Sequence, residues 1–337
     1  MARIVDVAKI ANVSTATVSR VISNSGPVKK DTAQKVLAAI EKLNYQPNIL
    51  ARQLRRSETK TILVIVPDIA NSFFIGVLRG LEEIAIKHGY QVLLGDSCNS
   101  NEREDGYLNL LQQKKADGMI LLTANIDQHI VEDFAKEYPV VLACEYMEGS
   151  LIPTVSIDNI SSARKATEHL INLGHKRIGF ISGPLQGVLG RDRLKGYQQA
   201  MMQHCLPVES ILIQEGDFTY ESGYNLMLKF LAFNNPPTAV FAANDEMAIG
   251  AIKAVKLKGL RVPEDHALIG FDDIKFASIF EPALTTISQP KYEIGKNAME
   301  LLIKLINKEN LMKTQIMLDD HLVIRETCGG NKRQKFY

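Results

Sequence analysis

Ile4-Val5-Asp6-Val7-Ala8-Lys9-Ile10-Ala11-Asn12-Val13-Ser14-Thr15-Ala16-Thr17-Val18-Ser19-Arg20-Val21-Ile22 opens the chain with two helical periods separated by a three-residue break. In the first segment Ile4, Val7, Ala8 and Ala11 recur at i, i+3, i+4 and i+7, and in the second Val18, Val21 and Ile22 form the matching stripe. Two short helices with facing apolar stripes and a tight turn between them have the layout of a helix-turn-helix. Ser14 supplies an N-cap oxygen for the second helix, which leaves Thr15, Ala16 and Arg20 on the face away from the stripe, where a major groove would lie. Periodicity alone fits an ordinary α-hairpin equally well.

Charge separates the two readings. Residues 1–60 hold eleven Lys and Arg against four Asp and Glu, although the whole chain has a formal net charge of only +1. A basic head followed by an acidic remainder is the footprint of phosphate neutralisation. After the second helix comes a Gly/Pro turn. Asp31 then reads as the cap of a third helix, with Gln34 three residues on and Ala33, Val36, Leu37 and Ile40 as its apolar face. Pro47 starts a further two-turn helical pattern through Arg56, too short to be stable alone, in which Leu54 is an apolar wedge able to enter a minor-groove base step.

From Thr61 the pattern alternates. Strand-like runs at 61–67, 91–95, 118–122, 140–144, 154–157, 177–181, 239–242 and 267–271 are separated by helical runs such as 73–88, 105–115, 161–173 and 245–258. Strands alternating with helices of this length imply parallel sheets. Eight strands exceed one comfortable open sheet, so two similar lobes are expected, joined near residue 160. A helix over 292–307 and late strands near 317 and 322–324 would return to complete both. The expected organisation is a head over 1–46, a hinge helix and linker over 47–60, a core over 61–330 and a basic tail over 331–337. Within the core, one lobe takes about 61–160 plus 291–318 and the other about 161–290 plus 319–330.

Ligands of open parallel sheets bind beyond the carboxyl ends of strands. The residues in those positions include Asp68, Asn71, Phe73, Phe74, Asp96, Thr123, Glu145, Asp158, Asn244, Asp245, Asp272 and Asp273, with Arg191 and Arg193 opening a helix after Gly183-Pro184. Aromatic rings can hold a flat ligand while Asp and Arg fix its polar edge. Each residue also has a purely structural reading: one of Phe73 and Phe74 as core, Asp158 and Asp245 as helix caps, and Asp272-Asp273 as a solvated turn. No nucleophile elbow or Gly-rich phosphate loop accompanies the carboxylates, so the cleft reads as a binder and not an enzyme site. The cysteines Cys98, Cys144, Cys205 and Cys328 have neither metal-ligand nor redox spacing, and no metal or cofactor is expected. No apolar run approaches 18 residues, and a cytoplasmic, nucleoid-associated protein with no membrane partner is expected.

The run from Asp6-Val7-Ala8 through Val13-Ser14-Thr15-Ala16-Thr17-Val18-Ser19-Arg20-Val21 closely resembles the signature of the lac/galactose repressor family. The likeness continues through Asn44-Tyr45-Gln46-Pro47-Asn48, Asn244-Asp245-Glu246-Met247-Ala248, Ile269-Gly270-Phe271-Asp272-Asp273 and Leu284-Thr285-Thr286-Ile287, and so covers the chain to about Thr327. The resemblance implies an all-α helix-turn-helix head on a periplasmic-binding-protein-like α/β core of two doubly wound lobes. It further implies a homodimer that reads a pseudo-palindromic double-stranded operator and senses a small-molecule effector. Thr15, Ala16 and Arg20 fall on base-reading positions, with Ser14 and Thr17 beside them on the DNA side and Leu54 as the hinge wedge. Phe73, Phe74, Arg193, Phe218, Asn244 and Asp272 fall on effector-contact positions; Arg191, Glu145 and Asp158 are looser transfers. The stretch from Thr61 to Ile69, with Phe73-Phe74 and His88-Gly89-Tyr90, is most similar to the cytidine-responsive members. For those members the resemblance implies a nucleoside inducer and binding beside the cyclic-AMP receptor protein at nucleoside uptake and catabolism operons. Gly216-Asp217-Phe218 with Tyr220-Glu221-Ser222-Gly223-Tyr224 is shared with purine-responsive members, which keeps a purine base, or a sugar, as the alternative effector. A solute-binding protein with the same two lobes is the distant alternative.

Overall fold

The computed structural model describes residues 2–23, 26–45, 58–123 and 126–330. Leu54, the expected hinge helix and the basic tail lie outside the described residues. The chain divides into two compact units, residues 1–59 and 60–337.

The head contains α1 (Ile4–Ala11), α2 (Thr15–Ser23) and α3 (Lys30–Lys42). Asn12 closes α1 in a left-handed conformation (φ 50°), its N–H directed back to the Ala8 and Lys9 carbonyls, an arrangement suited to Asn at a helix C-terminus. Val7, Ala8, Ala11, Val18, Val36 and Ala39 are buried together. Two expectations for α3 fail. Its cap position is Lys29, with Asp31 inside the first turn. Its buried face is set by Val36 and Ala39, with Ile40 and Leu43 packed beside them, while Leu37 is 56% exposed. The spacing 36/39/40/43 satisfies the helical period as well as 33/36/37/40 does, and packing against α1 selects the former.

In the second unit, β1 (Thr61–Val66), α4 (Phe73–Lys87), β2 (Gln91–Asp96), α5 (Asn101–Gln112), β3 (Gly118–Leu121), α6 (Gln128–Glu137), β4 (Val140–Ala143) and β5 (Thr154–Ile157) build the first lobe. The second contains α7 (Asn159–Asn172), β6 (Ile178–Ser182), α8 (Val188–Gln203), β7 (Ile213–Glu215), α9 (Tyr220–Leu231) and β8 (Ala239–Ala242). It continues through α10 (Asp245–Leu257), β9 (Ala267–Asp272), α11 (Lys275–Ile279) and β10 (Thr285–Ser288). The chain then returns to the first lobe with α12 (Lys291–Ile306) and β11 (Gln315–Leu318) and ends in the second with β12 (His321–Val323).

One sheet runs β11-β5-β4-β3-β1-β2 and the other β12-β10-β9-β8-β6-β7. The first is parallel throughout. In the second, the edge strand β12 pairs antiparallel with β10. The chain thus crosses between lobes three times: after β5, between β10 and α12, and between β11 and β12. The crossing helix α12 packs on α4 so closely that a Cβ on Gly80 would lie 2.1 Å from the Tyr292 carbonyl oxygen. The strands β7 and β10 and the helices α6, α9 and α11 were not anticipated by the sequence pattern, whereas the long buried runs were. Among the described residues no helix is long and apolar enough to cross a membrane.

Candidate functional site

In the head, the Ser14 hydroxyl accepts the Thr17 N–H at 3.2 Å and lies 2.9 Å from the Thr17 hydroxyl. This is the cap read from the sequence; it fixes where α2 begins. With Val18 fully buried, Ala16 and Arg20 are left exposed on the opposite face and Thr15 is exposed at its flank. Residues 16 and 20 are one helical turn apart, so their side chains stand on one ridge. That ridge has the size and donor chemistry to enter a major groove.

In the core, a cleft of about 720 Å³ lies at the carboxyl ends of the strands, between the lobes. Lobe one contributes Asp68 and Asn71, then Phe73 and Phe74 from the start of α4, and Cys144, Glu145 and Tyr146 after β4. Lobe two contributes Arg191 and Arg193 from α8, Phe218, Asn244, Glu246, Asp272 and Gln289. Eight of the expected ligand residues, Phe73, Phe74, Glu145, Arg191, Arg193, Phe218, Asn244 and Asp272, are therefore brought together. Asp158 is not among the lining residues: its carboxylate accepts the Ser161 N–H at 2.9 Å as the cap of α7, so the structural reading holds there. Asp245 is not a cap. Asn244 caps α10 through the Met247 N–H at 3.0 Å, and Asp245 is fully buried, accepting from the Ile274 N–H at 2.8 Å and the Thr286 hydroxyl at 2.5 Å.

The aromatic walls are held by neighbouring contacts. Phe73 and Phe74 meet edge to face with centroids 5.1 Å apart, and their backbone is anchored by Asn71, whose side chain accepts the Phe73 N–H. Phe218 adopts φ 67°. Its carbonyl accepts from the Asn244 amide at 2.8 Å, and its ring covers Gly183, where a Cβ would fall 2.0 Å from a ring carbon.

Asp272 is buried at the end of β9 with φ 113°. Its Oδ1 accepts from Gln289 Nε2 at 2.7 Å and stands 3.8 Å from Arg193 Nη2. Burial pushes its carboxyl up to about 6, opposed by Arg193, Lys291 and the Gln289 bond. Lys291 Nζ donates to the backbone carbonyls of Asp272 and Asp273 at 2.5 and 2.8 Å, holding the turn. Asp273 is not a solvated turn residue; Arg325 pairs with it at 2.6 Å. Glu246 is also raised, by burial and then by Asp68 across the cleft. At the rim, the Tyr146 hydroxyl donates to the Asp192 carboxylate at 2.9 Å and links the lobes. Gln289 was missed because it follows β10, a strand that the pattern did not reveal.

A helix-turn-helix head with an exposed reading face, followed by a two-lobed core with a polar and aromatic cleft, defines a DNA-binding regulator built on a periplasmic-binding-protein-like fold. Residues 3–48 match the bacterial regulatory proteins of the lacI family, and residues 167–328 match the periplasmic binding protein-like domain. The chain belongs to the lacI family and is a transcriptional repressor, not an enzyme. It is 42% identical over 321 residues to the HTH-type transcriptional repressor CytR of Escherichia coli (strain K12), covering 95% of this chain and 94% of that protein. Against the catabolite control protein A of Priestia megaterium the identity is 40% over 326 residues, covering 96% and 98%. The lac repressor dimer bound to operator and the anti-inducer ONPF superposes with a TM-score of 0.88 at 30% identity, covering 97% of this chain and 99% of that one.

Proposed function

We propose that this repressor binds a pseudo-palindromic operator as a homodimer and takes a nucleoside, cytidine, into the cleft as inducer, so controlling genes of nucleoside uptake and catabolism. Thr15, Ala16 and Arg20 are its base-reading residues, supported by Ser14 and Thr17, with Leu54 as the hinge wedge. Phe73, Phe74 and Phe218 hold the flat base, while Arg193, Asn244, Asp272, Glu145 and Arg191 serve its polar edge and the ribose. The observation that carries this reading is the convergence of three aromatic side chains with Asn244 and Asp272 on one cleft; an aromatic slot with a few placed polar groups suits a base joined to a sugar. The similarity to CytR supports cytidine and an association with the cyclic-AMP receptor protein at shared promoters.

The motif around Gly216-Asp217-Phe218 supports a second reading in which a purine base acts as corepressor, since Phe218 and Asp217 both line the cleft. Calorimetric titration of the full chain with cytidine, uridine, adenosine, hypoxanthine and ribose separates the two. Heat from cytidine and none from hypoxanthine supports the first reading; the reverse replaces it with the second.

A further inference from the structure

We infer that the cleft accepts an unphosphorylated nucleoside and rejects its 5′-phosphate, because six carboxylates line it against two guanidiniums, each of which already donates to the protein. This rests on the reading of the cleft as the effector site. Asp68, Glu145, Glu148, Asp217, Glu246 and Asp272 face Arg191 and Arg193 among the described lining residues.

Arg193 is 3% exposed, and its Nη2 stands 3.8 Å from the Asp272 carboxylate. Its Nε donates to Asn159 at 3.0 Å and its Nη1 to the Ala243 carbonyl at 2.6 Å, and its guanidinium lies 3.8 Å above the Phe271 ring. Arg191 donates from Nη1 to the Gln186 carbonyl at 2.6 Å. Lys291 directs its ammonium at the carbonyls of Asp272 and Asp273. The start of α8 opens on the cleft, a place where an anion could otherwise settle, but Asp192 in its second turn, joined to Tyr146 from the other lobe, occupies that rim with a carboxylate. A phosphate is held best by converging charged donors, and here six lining carboxylates outnumber two guanidiniums. A donor-rich neutral ligand meets the acceptors it can use: ribose hydroxyls and an exocyclic amine both donate. Burial, and then the Asp68 carboxylate across the cleft, raise the Glu246 carboxyl above its ordinary range, as a surplus of negative charge would.

The test is calorimetric titration of the full chain with matched pairs: cytidine and cytidine 5′-monophosphate, adenosine and adenosine 5′-monophosphate, ribose and ribose 5-phosphate. The neutral member of the binding pair is expected to bind about 100-fold or more tightly than its phosphate at low salt. The double variant Asp68→Asn/Glu246→Gln is expected to narrow that gap about tenfold, which separates charge from steric exclusion. Equal or tighter binding of the phosphate overturns the inference and leaves the nucleoside reading standing. A gap unchanged in the double variant also overturns it. Binding of adenosine in place of cytidine, with its phosphate still rejected, removes cytidine and keeps the inference, whereas binding of ribose alone removes the nucleoside reading and the inference with it. No binding by any neutral member removes both.

Discussion

Replacing Asp272 with Asn is expected to strengthen the fold and weaken the response to ligand, two effects of opposite sign from one atom pair. The carboxylate is buried, and its pKa is raised from 3.8 to about 6 despite Arg193 and Lys291 nearby. A rise of this size corresponds to roughly 3 kcal/mol of destabilisation once the group is ionised. The direction follows from proton counting. Between the unfolded value near 4 and the folded value near 6 the native state binds more protons, so stability falls as pH rises through that window, and the full penalty remains above it. Asn keeps an oxygen for Gln289 Nε2 and tolerates the positive φ, yet carries no charge. At pH 7.5 the variant should therefore melt higher than the parent by roughly 3 kcal/mol, and below pH 4 the difference should vanish. In the complex the same change removes a charged acceptor from the ligand, worth about 1.5–3 kcal/mol, or roughly a tenfold to 150-fold loss of affinity. Thermal unfolding across pH 3.5–8 and calorimetry with cytidine read the two effects separately. A variant that melts lower at pH 7.5 and still binds as the parent does would refute the placement of Asp272 as a strained ligand carboxylate.

Three further outcomes follow from single contacts. Arg20→Ala should cost about 1–3 kcal/mol at one operator base pair and relax preference there, measured by gel shift against single-base operator variants; uniform loss over all sequences would make Arg20 a phosphate contact. Gly80→Ala forces a methyl group to 2.1 Å from the Tyr292 carbonyl and should destabilise the core by about 3 kcal/mol or more, seen in thermal melts, whereas an unchanged melting temperature would contradict the close packing of α4 on α12. Tyr146→Phe removes the bond to Asp192 between the lobes and should cost about 1 kcal/mol of closure, read as a larger radius of gyration by small-angle scattering. No change in radius would leave that bond without a role in closure.

Legibility in the sequence tracked burial. The run Ile62–Val66 is buried on both faces, and its shortness and β-branched Ile and Val residues mark it as a central strand, and the stripe Val7, Ala8, Ala11 with Val18 marks the head. The strands β7 and β10 escaped because Ile213-Gln214-Glu215 and Thr285-Thr286-Ile287-Ser288 hold one aliphatic residue each and form no apolar run, whereas equally short strands such as Val140–Ala143 are apolar throughout. Losing β10 meant losing Gln289, which holds the Asp272 carboxylate. Asp158 shows a different limit: a residue at the end of a strand and the start of a helix satisfies the rules for a ligand contact and for a cap at once, and only the Ser161 N–H decides. The direction in which Arg193 spends its donors, inward to Asn159 and Ala243, has no trace in the sequence at all.

Fluorescence anisotropy of a labelled palindromic operator, titrated with the full chain with and without saturating cytidine, measures whether occupancy of the cleft controls the grip of the head on DNA. Weaker operator binding is expected with cytidine present, and in Asp272→Asn the same weakening is expected only at roughly tenfold to 150-fold higher cytidine. Operator binding that cytidine leaves unchanged or tightens would contradict that control.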